Sequence, residues 1–418
     1  MSQHKQYKNP IAKDFLPTTR AEMDKLGWRQ CDVILVSGDA YIDSPFIGVA
    51  TVGRMLEKLG YKVGMIGQPD LKSDKDIKRL GEPRLYWGIS GGSIDSMVSN
   101  YTATKKFRNK DDYTPGGINN KRPDRAVLAY CNLIRQHFKD TVPLVLGGIE
   151  ASLRRVTHYD YWSNKLRKPI LFDSKADILI YGMGEEAIRE LTKAIDKKEE
   201  WRDIRGLCYI AKEPKENFHT MPSHKECLDD KEKYIDLFDL FREIPGIRKA
   251  FVSSGVRYDL ITEDKGHGYS YLKEMVKHHI SGQMKVAPEH TEQHVLDLMG
   301  KPNKQTLVNF KKLYDKLNKD MGKKQYMTYY LIAAHPGCTE KNMHALKRFT
   351  TNTLKINPEQ AQVFIPTPGT YSAVIYYTEL DPITRKKVFV EKDIKRKEKQ
   401  KAIVQAEIKK GFKSGFAS

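Results

Sequence analysis

The chain has 418 residues, 39% of them hydrophobic and 30% charged, enough apolar material for two or three cores and too much for a disordered chain. No apolar run approaches the roughly 20 residues of a membrane-spanning helix, and the opening MSQHKQYKNPIAKDF lacks the apolar stretch of a secretory signal, so the sequence points to a cytoplasmic protein with no membrane partner. Lys and Arg number 72 against 53 Asp and Glu, a net +19, which favours RNA, nucleotides or another anionic partner while leaving open a basic enzyme whose lysines are merely solvated.

The first half alternates strand and helix signals. DVILVSG (32–38) is a short β-branched run ending in glycine, and residues 47–59 place their apolar side chains at helical spacing before Gly60. YKVGMIG (61–67) is a second strand, followed by a short helix at 73–79 and a strand at 84–90. Residues 123–138 form an amphipathic helix with Pro123 near its first turn. VPLVLGG (142–148) and ADILIYG (176–182) are further strands, the latter entering the helix GEEAIRELTKAI, and GLCYIAK (206–212) reads as an edge strand. This alternation predicts an α/β fold, a doubly wound parallel sheet. The loops SGDAYIDSP (37–45), SGGSID (90–95), GGIEASLRR (147–155) and GMGEEA (182–187) then face the ligand edge, where Gly and Ser beside helix amino termini suit a phosphate or nucleotide tail. Glycine needed only for tight turns would look the same.

Four segments are expected: an α/β domain at 1–212, a polar linker at 213–233, a second set of strand–helix units at 234–380 and a basic tail at 381–418. In the second half, 234–244, 270–280, 291–300, 304–319 and 340–356 read as helices, and 249–255, 283–288, 325–334 and 361–368 as strands. The span is too short for the ~250 residues of a full eight-stranded barrel, so it predicts a partial barrel or open sheet. From Arg385 to Lys410 there are eleven basic residues against four acidic ones, which reads as a solvated helix or an RNA contact. The five cysteines, Cys31, Cys131, Cys208, Cys227 and Cys338, are odd in number and the closest pair lies nineteen positions apart. That excludes a disulfide framework and any local Cys-x-x-Cys site, and no metal ligand set is predicted.

Seven stretches are specific in combination: SGDAYID (37–43), GGIEASLRR (147–155), DILIYGMGEEAI (177–188), SGVRYDL (254–260), MKVAPEHT (284–291), AAHPGCTEKNM (333–343) and PEQAQVFIPTPGT (358–370). In this order the chain resembles the YgiQ-type radical S-adenosylmethionine (SAM) family, whose reaction is unknown. The resemblance implies an N-terminal domain similar to cobalamin-binding domains joined to a partial (β/α) radical SAM barrel. It also implies a [4Fe–4S] cluster held by a Cys-x3-Cys-x2-Cys loop, with SAM bound to it and cleaved to a 5′-deoxyadenosyl radical. This sequence departs from the family at that place. It has no such motif, and HTMPSHKE (219–226) runs directly into CLDDKEKYIDLF (227–238), where the family carries a long segment. An internal deletion is the reading this prefers, giving a truncated or degenerate form without reductive SAM cleavage. Two alternatives stay open: a binding module for nucleotide, cobalamin or RNA, and a working enzyme whose cluster is held by scattered cysteines or a partner chain.

The resemblance also assigns candidate cofactor contacts. Arg257, with Asp259 beside it, would meet the SAM carboxylate. Glu289 would accept from ribose hydroxyls, with His290 adjacent. His335 would meet adenosine or substrate, and Pro366, Pro368 and Gly369 would shape the loop near adenine. A structural Arg–Asp pair, a helix-terminal acid and a turn histidine are the plainer readings of the same residues. For cobalamin, the loop after the first strand reads Asp43-Ser44-Pro45-Phe46, without the histidine of an Asp-x-His-x-x-Gly motif, so cobalamin is possible but unsupported. His158 and the Tyr159, Tyr161 and Trp162 cluster read as packing or cleft residues. Loss of two barrel strands would leave 249–255 with an open edge, predicting self-association there.

Overall fold

The computed structural model describes residues 15–44, 46–211, 258–266, 268–280, 282–358 and 360–406. The chain forms two compact units, Met1–His224 and Lys225–Ser418, dividing within the 213–233 stretch read as a linker.

The first unit runs α1 (Arg20–Lys25), β1 (Val33–Ser37), α2 (Gly48–Lys58), β2 (Val63–Gly67), α3 (Lys75–Lys78), β3 (Tyr86–Ser90), α4 (Ser96–Asn100), α5 (Ala126–His137), β4 (Leu144–Gly147), α6 (Gly148–Leu153), β5 (His158–Asp160), β6 (Lys165–Arg167), α7 (Ile170–Ser174), β7 (Ile178–Ile180), α8 (Glu185–Lys197) and β8 (Leu207–Tyr209). Six strands form one sheet in the order β2-β1-β3-β4-β7-β8, parallel except for β8, which pairs antiparallel with β7 at the edge. Every residue of β1 and β3 is buried, which is why these strands read as continuous apolar runs. Alternate side chains serve opposite cores. Ile34, Val36, Trp87, Ile89 and Leu146 pack with Tyr130 and Ile134 of α5, while Val33, Leu35, Tyr86, Val145 and Ile178 pack with Leu56 of α2 and Leu191 of α8. Helices thus cover both faces, and the doubly wound α/β expectation holds. Strand order reverses between β1 and β3, which opens a crevice beyond their carboxyl ends.

The second unit contains α9 (Tyr258–Glu263), α10 (Gly268–Glu274), a π-helical turn (Met275–His279), β9 (Gln283–Glu289), α11 (Gln293–Met299), α12 (Lys304–Asp320), β10 (Tyr326–Ala333), α13 (Glu340–Asn352), β11 (Gln362–Val363), α14 (Tyr371–Thr378) and α15 (Ile394–Gln405). Its described strands form a parallel sheet in the order β11-β10-β9. Met284 and Val286 of β9 pack on Phe310, Tyr314 and Leu317 of α12. Leu331 and Ala333 of β10 pack with Met343 and Leu346 of α13 and Val404 of α15. The predicted helix at 234–244, the strand at 249–255 with its open edge, and Arg257 lie outside the described residues.

One reading of the second half is corrected. The basic tail is not simply a solvated helix: Lys397, Gln400 and Val404 of α15 are buried. The Lys397 ammonium donates to the Tyr376 hydroxyl at 2.8 Å, and Lys347 of α13 donates to the Val404 carbonyl at 2.9 Å. Long lysine stems bury against apolar neighbours, which a charge count does not register. Helix α14 has no counterpart among the predicted elements, because YSAVIYYT is apolar on nearly every side and shows no amphipathic period. Among the described residues no helix is long and apolar enough to cross a membrane.

Candidate functional site

All four glycine-rich loops read from the sequence reach one cleft at the carboxyl edge of the first sheet. A cavity of about 330 Å³ is lined by Asp39, by Ser90, Gly92 and Ser93, by Gly147, Gly148 and Ile149, and by Gly182, Gly184 and Glu185. Its inner wall is apolar, from Leu35, Val52, Ile89, Leu146, Ile180 and Ile188, and Phe46 stands at the rim, 91% exposed. Gly48 at the start of α2 and Glu185 at the start of α8 both line it. Two helix amino termini therefore border an apolar slot: that of α2 has no acidic residue in its first turn, while α8 opens with Glu185 and Glu186, which offset its positive dipole end.

Close backbone packing sets the cleft. The Gly38 N–H donates to the Ser90 carbonyl at 3.1 Å, and a Cβ on Gly38 would fall 2.1 Å from the Gly91 oxygen. Gly92 sits at φ +104°, where a Cβ would fall 2.2 Å from Asp39 Oδ1. Asp39 accepts from the Ser93 N–H at 2.6 Å and from Arg122 Nη2 at 2.7 Å. The Arg122 guanidinium also donates to the Gly91 carbonyl at 2.8 Å and to Asp111 Oδ2 at 3.2 Å. Arg122, Asp39 and Asp111 are all buried. Burial pushes the Asp111 carboxyl up, but hydrogen bonds from Arg122, the Tyr113 N–H and Thr114 outweigh it, so the group stays below the usual carboxylate range.

A second buried network lies beneath α6. Glu150 accepts from the Ser96 N–H at 2.9 Å and the Val127 N–H at 3.1 Å. Asp95 caps α4 and pairs with Arg154. Burial, with the Asp95 charge adding to it, pushes the Glu150 carboxyl up. His158 donates from Nδ1 to the Val156 carbonyl at 3.0 Å, and burial, reinforced by the Arg154 charge, lowers it to about 4. Trp162 packs against both Tyr161 and Tyr101, in keeping with the packing reading. Sequence reasoning missed both networks: Asp39 lies 83 residues from Arg122 and Asp95 lies 59 from Arg154, and 101–122 carries no periodic pattern to flag Asp111 or Arg122.

In the second unit, Glu289, His290 and His335 stand at the carboxyl ends of adjacent strands. Glu289 and Ala334 both have left-handed backbone, φ +65° and +59°, a conformation non-glycine residues rarely adopt. Glu289 pairs with Lys301 at 2.9 Å. His290 accepts at Nδ1 from the Glu292 N–H at 3.1 Å, which leaves Nε2 as the donor toward Cys338 Sγ at 3.4 Å. His335 donates from Nδ1 to the Pro336 carbonyl at 2.9 Å and accepts at Nε2 from the Ser372 hydroxyl at 2.8 Å. Burial lowers His290 to about 3, with the charges of His335 and His294 adding to the effect, and lowers His335 to about 4. Asp259 is buried in α9.

Cys31, Cys131 and Cys338 are buried, Cys208 is partly so, and all four are free. Burial raises each of these four thiols, Cys31 and Cys338 to about 12 and Cys208 to about 11, so each is a neutral thiol near pH 7. Among the described residues no three or more His, Cys, Asp or Glu side chains group as a metal site. The donor set described here does not fit a [4Fe–4S] cluster.

Residues 15–253 match the Radical SAM N-terminal family model, and 359–411 match a domain of unknown function, DUF3362. A UPF0313 protein of Fusobacterium nucleatum subsp. nucleatum is 40% identical, with 93% of this chain and 98% of the relative covered. The chain belongs to the UPF0313 family of radical SAM proteins. A second UPF0313 protein, from Thermotoga maritima, is 34% identical with the same coverage. These UPF0313 alignments run over 558 and 556 positions, more than the 418 residues of this chain. A solved structure of the radical S-adenosylmethionine methyltransferase TsrM from Kitasatospora setae, with tryptophan substrate and a SAM analogue bound, is similar at a TM-score of 0.47 and 11% identity, covering 81% of this chain and 74% of that one.

Proposed function

We propose that this UPF0313 chain keeps the ligand-binding role of its first unit and does not carry out reductive SAM cleavage. The cleft is the observation that carries this reading. An apolar slot bordered by two helix amino termini suits a ligand with a flat apolar ring and a phosphate, such as a nucleotide or the nucleotide tail of cobalamin bound without a protein ligand to cobalt. Lack of cleavage is supported by the relatives' extra aligned positions and by the missing Cys-x3-Cys-x2-Cys motif. On the second unit, Glu289 is the best placed of the SAM-facing candidates, since it is partly exposed while Asp259, His290 and His335 are buried.

Two measurements test these statements separately. After anaerobic reconstitution with iron and sulfide, the purified chain is expected to hold well under one cluster and to form no 5′-deoxyadenosine from SAM under reduction. Four irons and four sulfides per chain with 5′-deoxyadenosine released would overturn the catalytic half. For the cleft, equilibrium dialysis with hydroxocobalamin and, separately, with adenosine monophosphate is expected to show binding of at least one probe. Gly147→Val should weaken that binding roughly tenfold or more by filling the slot. Gly147 has ordinary extended backbone and an added Cβ meets no atom within 4 Å, so the variant should melt like the parent. Unchanged binding in it would place the ligand elsewhere.

A further inference from the structure

We infer that the excursion between α4 and α5, residues 101–125, is a docking surface for single-stranded RNA. The segment doubles back on itself in a fixed form. Tyr101 bridges Phe107 and Lys110 bridges Ile118, the Arg108 N–H donates to the Asn100 carbonyl at 2.7 Å, and the Asn119 side chain donates to the Arg108 carbonyl at 2.9 Å. Its inner side is tied to the cleft loops: the Ala40 N–H donates to the Tyr113 carbonyl at 3.0 Å, and Gln68 bridges the Gly38 carbonyl and the Thr114 hydroxyl.

The outer side presents cations. Lys105, Lys106, Arg108, Lys110 and Lys121 are exposed, and among the described residues none is paired with a carboxylate. Lys105 donates to the Trp162 carbonyl and lies 4.7 Å from the Tyr161 ring centroid, and Arg108 donates to the Tyr101 carbonyl. The acids of the segment do little to neutralise them. Asp111 is buried against Arg122, which leaves two exposed acids, Asp112 and Asp124, the latter held by Asn100 and the Tyr101 hydroxyl, against five exposed cations. Aromatic rings lie among the cations. Phe107 is 52% exposed and packs edge-on against Tyr101, which tilts against the partly exposed Trp162.

Cations alone fit any polyanion. Cations interleaved with an exposed ring fit a strand that offers phosphates and unstacked bases together, which a duplex or a carboxylate-rich peptide does not. The exposed lysines Lys316, Lys319 and Lys323 on and just after α12 bring the same number of charges from the second unit and serve as the control.

The test is fluorescence anisotropy of the full chain with an end-labelled oligouridine across a salt series. The parent is expected to bind with a log K that falls linearly with log salt. The triple variant Lys106→Ala, Lys110→Ala, Lys121→Ala should flatten that slope by about 2, at roughly 0.7 for each cation lost. Phe107→Ala should weaken binding roughly 5- to 150-fold with the slope kept. All four side chains are exposed, so both variants should keep the parent's melting curve. The proposal is overturned if the triple variant changes the slope no more than Lys316→Ala, Lys319→Ala, Lys323→Ala does, if Phe107→Ala has no effect, or if polyglutamate binds and oligouridine does not.

Discussion

Arg122→Ala is expected to lower the unfolding free energy of the first unit by about 3–5 kcal/mol, the usual cost of removing one partner from a buried ion pair. The guanidinium is fully buried between Asp39 and Asp111 and also donates to the Gly91 carbonyl. Alanine leaves two carboxylates without their cation and one carbonyl without its donor. All four tryptophans, Trp28, Trp87, Trp162 and Trp201, lie in this unit, so urea unfolding followed by tryptophan fluorescence reads it directly. Adding Asp39→Asn and Asp111→Asn to the alanine variant should recover part of the loss, because the unpaired charges are then gone. Arg122→Lys should recover little, since a point charge does not reproduce three directed N–H groups. A loss under about 1 kcal/mol would mean that the network is solvated.

Acidification should weaken the second unit. His290 and His335 titrate near 3 and 4 when folded and near 6.5 when unfolded. Between those values the unfolded chain binds more protons, so stability is complete above about pH 6.5 and falls as the pH drops toward 4. At pH 5 each histidine is about 1.5 pH units below its unfolded value, a loss of about 2 kcal/mol apiece, or about 4 kcal/mol together. Hydrogen exchange of the β9 and β10 amides at pH 7 and pH 5, corrected for the intrinsic rate, measures it. In His335→Gln about half the drop should remain. Equal protection at both pH values would show that these rings are open to water when folded.

The sheet of the first unit was legible because its strands are buried on both faces and its helices on one. A strand such as Val33–Ser37 therefore stands out as an apolar run, and α2 and α8 stand out by their period. The cleft was legible one step further on, since each of its loops begins where a parallel strand ends and carries glycine. What stayed hidden depends on contacts remote in sequence. Asp39 and Arg122 are 83 residues apart, and nothing local marks either as the other's partner. The three-residue strands β5 (HYD) and β6 (KLR) lack the apolar run that marks β7 (ILI), which is just as short. In α15, Lys397 looks like a surface residue until Tyr376 takes its ammonium. His290 and His335 were picked out through the family resemblance, but their burial against Cys338, Ser372 and Phe364 comes from three separate elements and could not be read from one.

The contact of Gly38 with Gly91 has a bearing on selectivity. Where two strand ends meet main chain to main chain, with a buried guanidinium pinning them, that side of the opening is set by peptide planes, and only the side chains lining the rest of it can adjust. Such a mouth cannot widen on that side for an oversized guest. Discrimination among guests then rests on the outline of the slot itself, much as a rigid sieve sorts by shape.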